Sequence, residues 1–588
     1  MRSLVCCSRT LTLSMVFAMA GFCFALATAS RETTVSVEDR GVGTFLPLRY
    51  TNPNVFVNGV ASAEFDLGDV AATQIITRYI SAEGGLKPYR FTSSGTQSLD
   101  AAVGATDSTL TLGLSGVVSG RMSSRIPSVP LIMLGSSSYL TTPGTPGFRF
   151  KVSLQDAKGT AGDVVNGFFN LFFVTADKFK FCIDALPTGR VQDSYMTKVE
   201  TMGGAGAVTV SVASISGAAT TLKDLGLSIG SDGTIYGKPL VTGTVTIVLH
   251  AVDSKNNVAL NRARTAADQS LTLVINPNTI TSSDMVTTSC SVTGDTAKQG
   301  NDRLRYSGIV NVLGQDNFAI ANSVVTFHLG GISFTGTLDK KGSFKATLAD
   351  LSVVSAKINA SSGMFSISIT KGTFSKVLNA TTFKNGDKTR EALAVVVGDA
   401  VGTAEVLDFA TKVNGTKYAL NYRLGSQGSN AGGAFQLVKV QGKDQTGANG
   451  AAADKWNVKF IALAPVGLGT TQGTTNVTTA QLRIGTNFIS KLPASGRNAA
   501  RGFSFRGSSG SLVRSLTLSS KNGVGSFSTA ALAPSQTGLQ PASQSPRFGN
   551  IFFPVGLDLT RSGTTFTGEH ARRIFGVRNV YNDVPPKR

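Results

Sequence analysis

Residues 226–237 read GLSIGSDGTIYG, and the first five spell G-x-S-x-G, the pattern of a serine nucleophile elbow centred on Ser228. An elbow needs a buried strand before the serine and a helix directly after it, so that the sharp turn exposes the hydroxyl. Ser228 is succeeded by IGSDGTIYGKP, three glycines and a proline within eleven residues, and no helix can begin there. Ser231-Asp232-Gly233 instead supplies a tight turn between two strands, with Gly233 free to take a positive φ. Ser228 therefore reads as a turn or strand-edge serine, and the chain as one built from strands.

Composition agrees. The 588 residues include 65 glycines and only 15% charged residues, too few for long solvated amphipathic helices. A chain of this length divides into roughly three to five domains. The expected fold class is all-β, as serial sandwich modules.

Two related modules occupy the front half. The first holds TRYISAEGGLKPYRF, LGLSGVVSG and GFRFKVSLQDAKG and closes on FFNLFFV; the second holds MTKVETMGGAGAVTV, LGLSIGSDGTIYG and GTVTIVLHAVDSKN and closes on SLTLVI. Phe148, Phe150, Val152 and Leu154 alternate with polar residues, as do Val245, Ile247, Leu249 and Ala251, which marks strands with one buried face. Matching positions drift from Gly84 and Gly203 to Asp156 and Asp253, so the first module carries an insertion, placed near SRIPSVPLIMLGSSS.

The succession GG-x-x-x-Y-x-F, LGLS, DGTI-x-G-x-P, TGT-V-T-I and V-D-S-K resembles the Ig-like, cadherin-like sandwich modules common in secreted and surface proteins of bacteria. It covers about 66–175 (Gly84, Gly85, Pro88, Tyr89, Phe91) and 190–276 (Leu225, Gly226, Leu227, Ser228, Gly233, Gly237, Pro239, Gly243, Asp253). The resemblance implies a fold and a surface location and assigns no activity. It also implies that calcium between modules has to be weighed, with Asp66, Asp69, Asp156 and Asp253 near predicted strand ends. Calcium takes six to eight oxygens, and here the acids are scattered without a D-x-D-x-[DN]-G loop.

The back half carries a second repeat. DRLRYSGIV at 302 aligns with DKWNVKFIA at 454, LGGISFTGTL at 329 with IGTNFISKL at 484, and GSFKA with RGFSFRG. Two further β modules are expected, at 300–430 and 450–582, with a tail at 583–588. The tracts GSQGSNAGG and KDQTGANGAAADK between them read as turn and linker material.

Residues 1–29 carry Arg2 and Arg9, an apolar run from about Leu11 to Leu26, and Ala27-Thr28-Ala29, the plan of a cleavable secretory signal followed by an N-terminal segment at 30–65. Export by that signal leaves Cys182 and Cys290, which an oxidising compartment could bridge; they flank the second module, whose ends lie at opposite poles. No later apolar run reaches membrane-spanning length.

Catalytic and metal residues are hard to assemble. His250 and His328 lie in strand-like alternations and read as surface strand residues; His570 is the third and last histidine. Glycine-rich stretches such as 203–206 lack the lysine and helix of a phosphate loop. The expectation is a non-enzymatic protein without a catalytic or cofactor-binding set.

Charge supplies the functional expectation. Residues 1–284 hold 22 Lys and Arg against 20 Asp and Glu; residues 455–588 hold 16 against 3. A neutral front and a basic back can concentrate an anionic polymer at one end. Arg497, Arg501 and Arg506 are the candidate contacts. Two functions remain open: an exported surface or matrix scaffold, with envelope polymers or surface proteins as partners and no nucleic acid, or a non-catalytic binder of anionic polysaccharide. A hydrolase would need a constellation that is not legible.

Overall fold

In the computed structural model, residues 47–423 are described apart from short internal stretches, the longest being 125–146, and from 435 to 582 the description is of strand backbones. The expected signal at 1–29 lies outside the described residues. The chain is nearly all β, 58% strand and 5% helix, and its strands form serial β-sandwiches followed by two repeated β modules.

The two front sandwiches share one strand plan. In the first, Val60–Val70 runs parallel to Val164–Phe173, which pairs with Gly147–Gln155 and then Arg90–Thr92; the facing sheet is Ile75–Tyr79, Val117–Arg121, Thr111–Leu112. In the second, Gly189–Arg190 runs parallel to Gln269–Asn276, followed by Gly243–Asp253 and Val208–Gly217; the facing sheet is Tyr195–Lys198, Thr234–Gly237, Leu227–Ile229. The connection that differs most is the one expected to hold the insertion: residues 122–146 link strands in the first sandwich, and 238–242 link their counterparts in the second.

Alternation produces the cores. Phe148, Phe150, Val152 and Leu154 are at most 1% exposed, and Val245, Ile247, Leu249 and Ala251 are fully buried. Each large side chain so buried stabilises the fold by roughly 1.5–3 kcal/mol. The first sheet also takes in Asn54–Val57, ahead of residue 66. The second core draws on Phe181, Ile183 and Leu186, ahead of residue 190. A fragment of 178–277 should therefore unfold cooperatively, whereas 190–276 lacks those three side chains, a loss comparable to the whole stability of a small domain. Amide dispersion and a denaturant titration of the two fragments check this, and equal behaviour would refute it.

The back half rolls its sheets. The third module orders its strands Ile332–Thr337, Val324–Leu329, Lys388–Val397, Val401–Asn414, Lys417–Arg423, Met285–Asp295, Asp302–Val310, Met364–Gly372, Val353–Ile358, Ser343–Thr347. Its two edge strands are joined by residues 338–342 alone, so the sheet must curl until its edges meet. At that seam the Phe344 ring fills the space where Gly336 has no Cβ. Apolar side chains point inward, as in Phe365, Ile367 and Ile369 between exposed or half-buried neighbours.

The fourth module repeats this order: Asn487–Leu492, Val477–Ile484, Asn550–Arg561, Thr564–Val577, Val580–Asn582, Phe435–Lys443, Lys455–Ala462, Val524–Thr529, Val513–Ser519, Gly502–Arg506, with Arg497–Ala499 added outside. Strands Asp302–Val310 and Lys455–Ala462 hold the same place, as do the two hairpins around residues 330 and 485. Ser343–Thr347 and Gly502–Arg506 also correspond, so each aligned sequence pair is a matched strand.

Candidate functional site

The G-x-S-x-G stretch is not an elbow. A short helix, Leu222–Leu225, precedes it, capped by the Thr221 hydroxyl, and Gly226 ends that helix at φ 79°. Ser228 lies inside the strand Leu227–Ile229, buried and opposite Tyr236. Gly233 turns the chain at φ 82°, where a Cβ would collide with the Val199 carbonyl oxygen. The order is helix, strand, turn, strand, the reverse of what a nucleophile needs. Ser228→Ala should cost under about 1 kcal/mol, within the range of a single neutral hydrogen bond, and a fluorophosphonate probe should leave Ser228 unlabelled.

The four acids weighed for calcium do not converge. Asp253 closes a turn, accepting N–H groups from the Asn257 side chain, from Ala205 and from the backbones of Lys255 and Asn257. Those donors, the Asn257 side chain foremost, hold its carboxyl down to about 2. Asp156 lies apart, beside Gly85. Asp66 and Asp69 do come together, but around a cation the chain supplies itself.

That cation is Arg262, on the loop after Gly243–Asp253, with a side chain 2% exposed. Its Nη1 donates to Asp66 at 2.6 Å and Asp184 at 2.8 Å, and its Nη2 to Asp69 at 2.8 Å. Lys180 reaches the other oxygen of Asp69 at 2.5 Å. Asp66 and Asp69 belong to the first module, Arg262 to the second, and Asp184 to the segment between. Burial by itself would lower the Arg262 pKa, but the three carboxylates override it and raise it. Burial raises the Asp184 carboxyl, opposed by Arg262. Among the described residues no group of acids, histidines and cysteines is arranged to hold a metal ion.

The same junction carries three more ion pairs. Arg78, 3% exposed, binds Glu200 across the modules and donates to the backbone oxygens of Leu67 and Asp69. Glu83 lies between Arg49 and Arg190. At Gly68, φ 94°, a Cβ would stand 2.7 Å from the Cys182 oxygen, so glycine lets the two backbones touch. Cys182 is free and buried there beside Ala71 and Met202, while the free Cys290 sits in the third module's core. Their placement in separate clusters leaves no bridge between them.

A second junction joins the second and third modules. Tyr236, fully buried, accepts the Gly331 N–H at 2.9 Å and packs its ring at a tilt against that of His328, centroids 4.8 Å apart. Ala392, Ala394 and Ala404 present a small-residue surface that admits Tyr236 and Met196, and Tyr79 of the first module packs on the same cluster. The Ser194 hydroxyl accepts the Ala404 N–H, and Lys223 pairs with the buried Glu391 at 2.5 Å. The expectation of a surface His328 is thereby corrected: its strand face is covered by another module, leaving it 3% exposed. His250 is half-buried and meets Asp268 at 2.6 Å.

At the basic end, Arg497 and Arg506 lie on the paired strands Arg497–Ala499 and Gly502–Arg506, with Arg497 opposite Ser504. Arg501 and the side chain of His570 lie outside the described residues. Sequence reading missed Arg262, Asp184, Arg78, Glu200 and Tyr236. Their partners stand tens to nearly two hundred positions away, and no local pattern announces such pairs.

No family model matches the chain, and no curated protein matches it. Solved structures that align with it include zebrafish RET cadherin-like domains 1 to 4, at 9% identity over 89% of this chain and 99% of that one, with a TM-score of 0.25. The N-terminal eight Ig domains of DSCAM isoform 1.30.30 align at 8% identity over 90% and 49%, with a TM-score of 0.15. Drosophila N-cadherin EC1-4 aligns at 7% identity over 87% and 99%, with a TM-score of 0.13. None of these alignments assigns an activity or a partner. No described helix is long and apolar enough to cross a membrane.

Proposed function

We propose that this chain is an exported bacterial surface or matrix protein that works by binding and scaffolding, without catalysis. Its modules are read as 49–173, 178–277, 285–423 and 435–582, following the strands. The observation that supports a scaffold is the pair of buried junctions, which tie the first three modules into one packed body. A hinged receptor would leave those interfaces small and solvated.

The specific binding reading rests on charge. With 16 cationic residues against 3 acidic ones in 455–588, the basic end attracts anionic polysaccharide or other envelope polymer without reading its sequence. Exposed charges more than about 10 Å apart are screened at 0.1 M salt, so this attraction is steeply salt-dependent. The full chain should be retained on an anionic polysaccharide matrix at low salt and released as salt rises. A chain ending at Arg423 should flow through, and reversing Arg497, Arg501 and Arg506 to glutamate should advance elution. Equal retention of the long and short chains, or indifference to salt, would refute polymer binding.

A further inference from the structure

We propose that the strand Val208–Gly217, beyond Val210, is an open sheet edge through which one copy of this chain pairs with the same strand of a second copy. A free edge offers a row of unpaired N–H and C=O groups, and proteins ordinarily blunt it by shortening, charging, bending or covering it. The other edges of the first three modules are blunted among the described residues. Gly189–Arg190 and Thr111–Leu112 have two residues each, Arg90–Thr92 has three and Asn54–Val57 four, and at the edge Ile75–Tyr79 the Thr77 N–H is bonded to the Glu200 carboxylate of the second module. Arg90–Thr92 is the counterpart of Val208–Gly217 in the first sandwich, and there residues 93–103 lie alongside, with the Lys151 N–H bonded to the Gln97 oxygen. Leu227–Ile229 and Tyr195–Lys198 are packed against the third module. The edges of the third module meet each other.

Val208–Gly217 is ten residues long, and Thr209, Ser211, Ala213, Ser214, Ser216 and Gly217 are exposed. No Lys, Arg, Asp, Glu or Pro occurs from Thr201 through Leu222 in a chain of net charge +20. Its inner side pairs with Gly243–Asp253, with one bulge between Val212 and Ser214. At the first part of the strand the outward N–H of Val210 is used, bonded to the Ser231 oxygen. Two-residue alternation, shifted by the bulge, then turns the backbone groups of Ile215 and Gly217 outward, and no backbone group among the described residues bonds them there.

The occupant follows from charge and symmetry. Residues 1–284 are nearly balanced, 22 cationic against 20 acidic, and the positive excess lies behind them, so two copies that meet at this uncharged stretch bring no like charges together there. On the neighbouring outer face Thr246, Val248, Ser270, Thr272 and Val274 are uncharged, while His250, opposite Ser211, meets Asp268. Antiparallel pairing about a two-fold axis sets the strand against itself, an isologous contact that closes as a dimer. It would merge two four-stranded sheets into one of eight. A single strand pair buries less than the ~800 Å² per partner of a standard interface, so the dimer is weak in solution and gains from display of many copies on one surface.

The proposal is independent of polymer binding and fails separately from it. Sedimentation of the full chain, from low-micromolar to near-millimolar concentration, should show a reversible dimer. Ser214→Lys with Ser216→Lys, both at exposed sites, should abolish the dimer and leave polysaccharide retention unchanged. Single cysteines at Ser211, Ser214 and Ser216 should form intermolecular disulfides with one maximum, at the position nearest the two-fold axis, since Cys182 and Cys290 are buried. A chain monomeric throughout would overturn the proposal. So would a dimer indifferent to the lysines or one crosslinking evenly at all three positions. Protection of the edge amides only when an unrelated strand-forming peptide is added would assign the edge to a different partner, and would also overturn homotypic pairing.

Discussion

Replacing Arg262 by alanine should lower the stability of the first two modules by about 3–5 kcal/mol, the usual cost of leaving a buried charge without its partner. Asp66, Asp69 and Asp184 would then face one another with only Lys180 beside them, at a site where water enters poorly. The effect arises from the orphaned carboxylates more than from lost contacts, and a double variant separates the two causes. Arg262→Met with Asp69→Asn removes charge from both sides and should recover part of the loss. Calorimetry of the full chain would show the transition of the front modules moving down in Arg262→Ala while that of the fourth module stays. A front transition unchanged in Arg262→Ala would mean that the junction contributes nothing to holding the modules together. The same experiment run with a chelator should give an unchanged trace, because the cation between these modules is a guanidinium.

The junction between the second and third modules should weaken in mild acid, with His328 as the cause. Burial lowers its pKa to about 4, helped by Lys198 and opposed by Asp232. Its folded pKa is thus below the ordinary 6.5. Between pH 6.5 and pH 4 the unfolded chain takes up a proton that the folded chain refuses. The stability tied to the neutral ring is complete above pH 6.5 and is lost as pH falls toward 4, about 3 kcal/mol in all. Glu391 and Glu405 act the other way: burial raises both carboxyls, against Lys223 for the first and against Lys238 and Thr287 for the second. Folded, they hold protons that the unfolded chain has released, so they favour the fold as pH drops from neutral toward the ordinary carboxylate range. The decisive measurement is therefore a difference. His328→Asn keeps a hydrogen-bonding group toward Ser333 without titrating. Its stability relative to the parent should rise by about 3 kcal/mol between pH 7 and pH 4. Parallel pH profiles for parent and variant would refute the assignment.

Much of the fold was legible because strands are written locally. Side chains at every second position choose a face, so the rows from Phe148 to Leu154 and from Val245 to Ala251 announced buried strands before any partner was known. The glycines at 226 and 233 announced a cap and a turn for the same reason: their backbones take conformations that side chains resist. In the back half, aligned segments such as 302–310 and 455–462 proved to hold the same place in two sheets of one order.

The sequence by itself determined the all-β class, the paired modules of the front half, the repeat behind them and the basic charge of the C-terminal end. These follow from short-range periodicity and composition, which need no contact between distant residues. Only the tertiary structure decided what the acids at 66 and 69 face, why His328 is buried and which strand edge stays open. Each depends on residues that approach one another only after the modules have packed. A carboxylate set looks the same in sequence whether it awaits a metal or, as here, closes around an arginine nearly two hundred positions away.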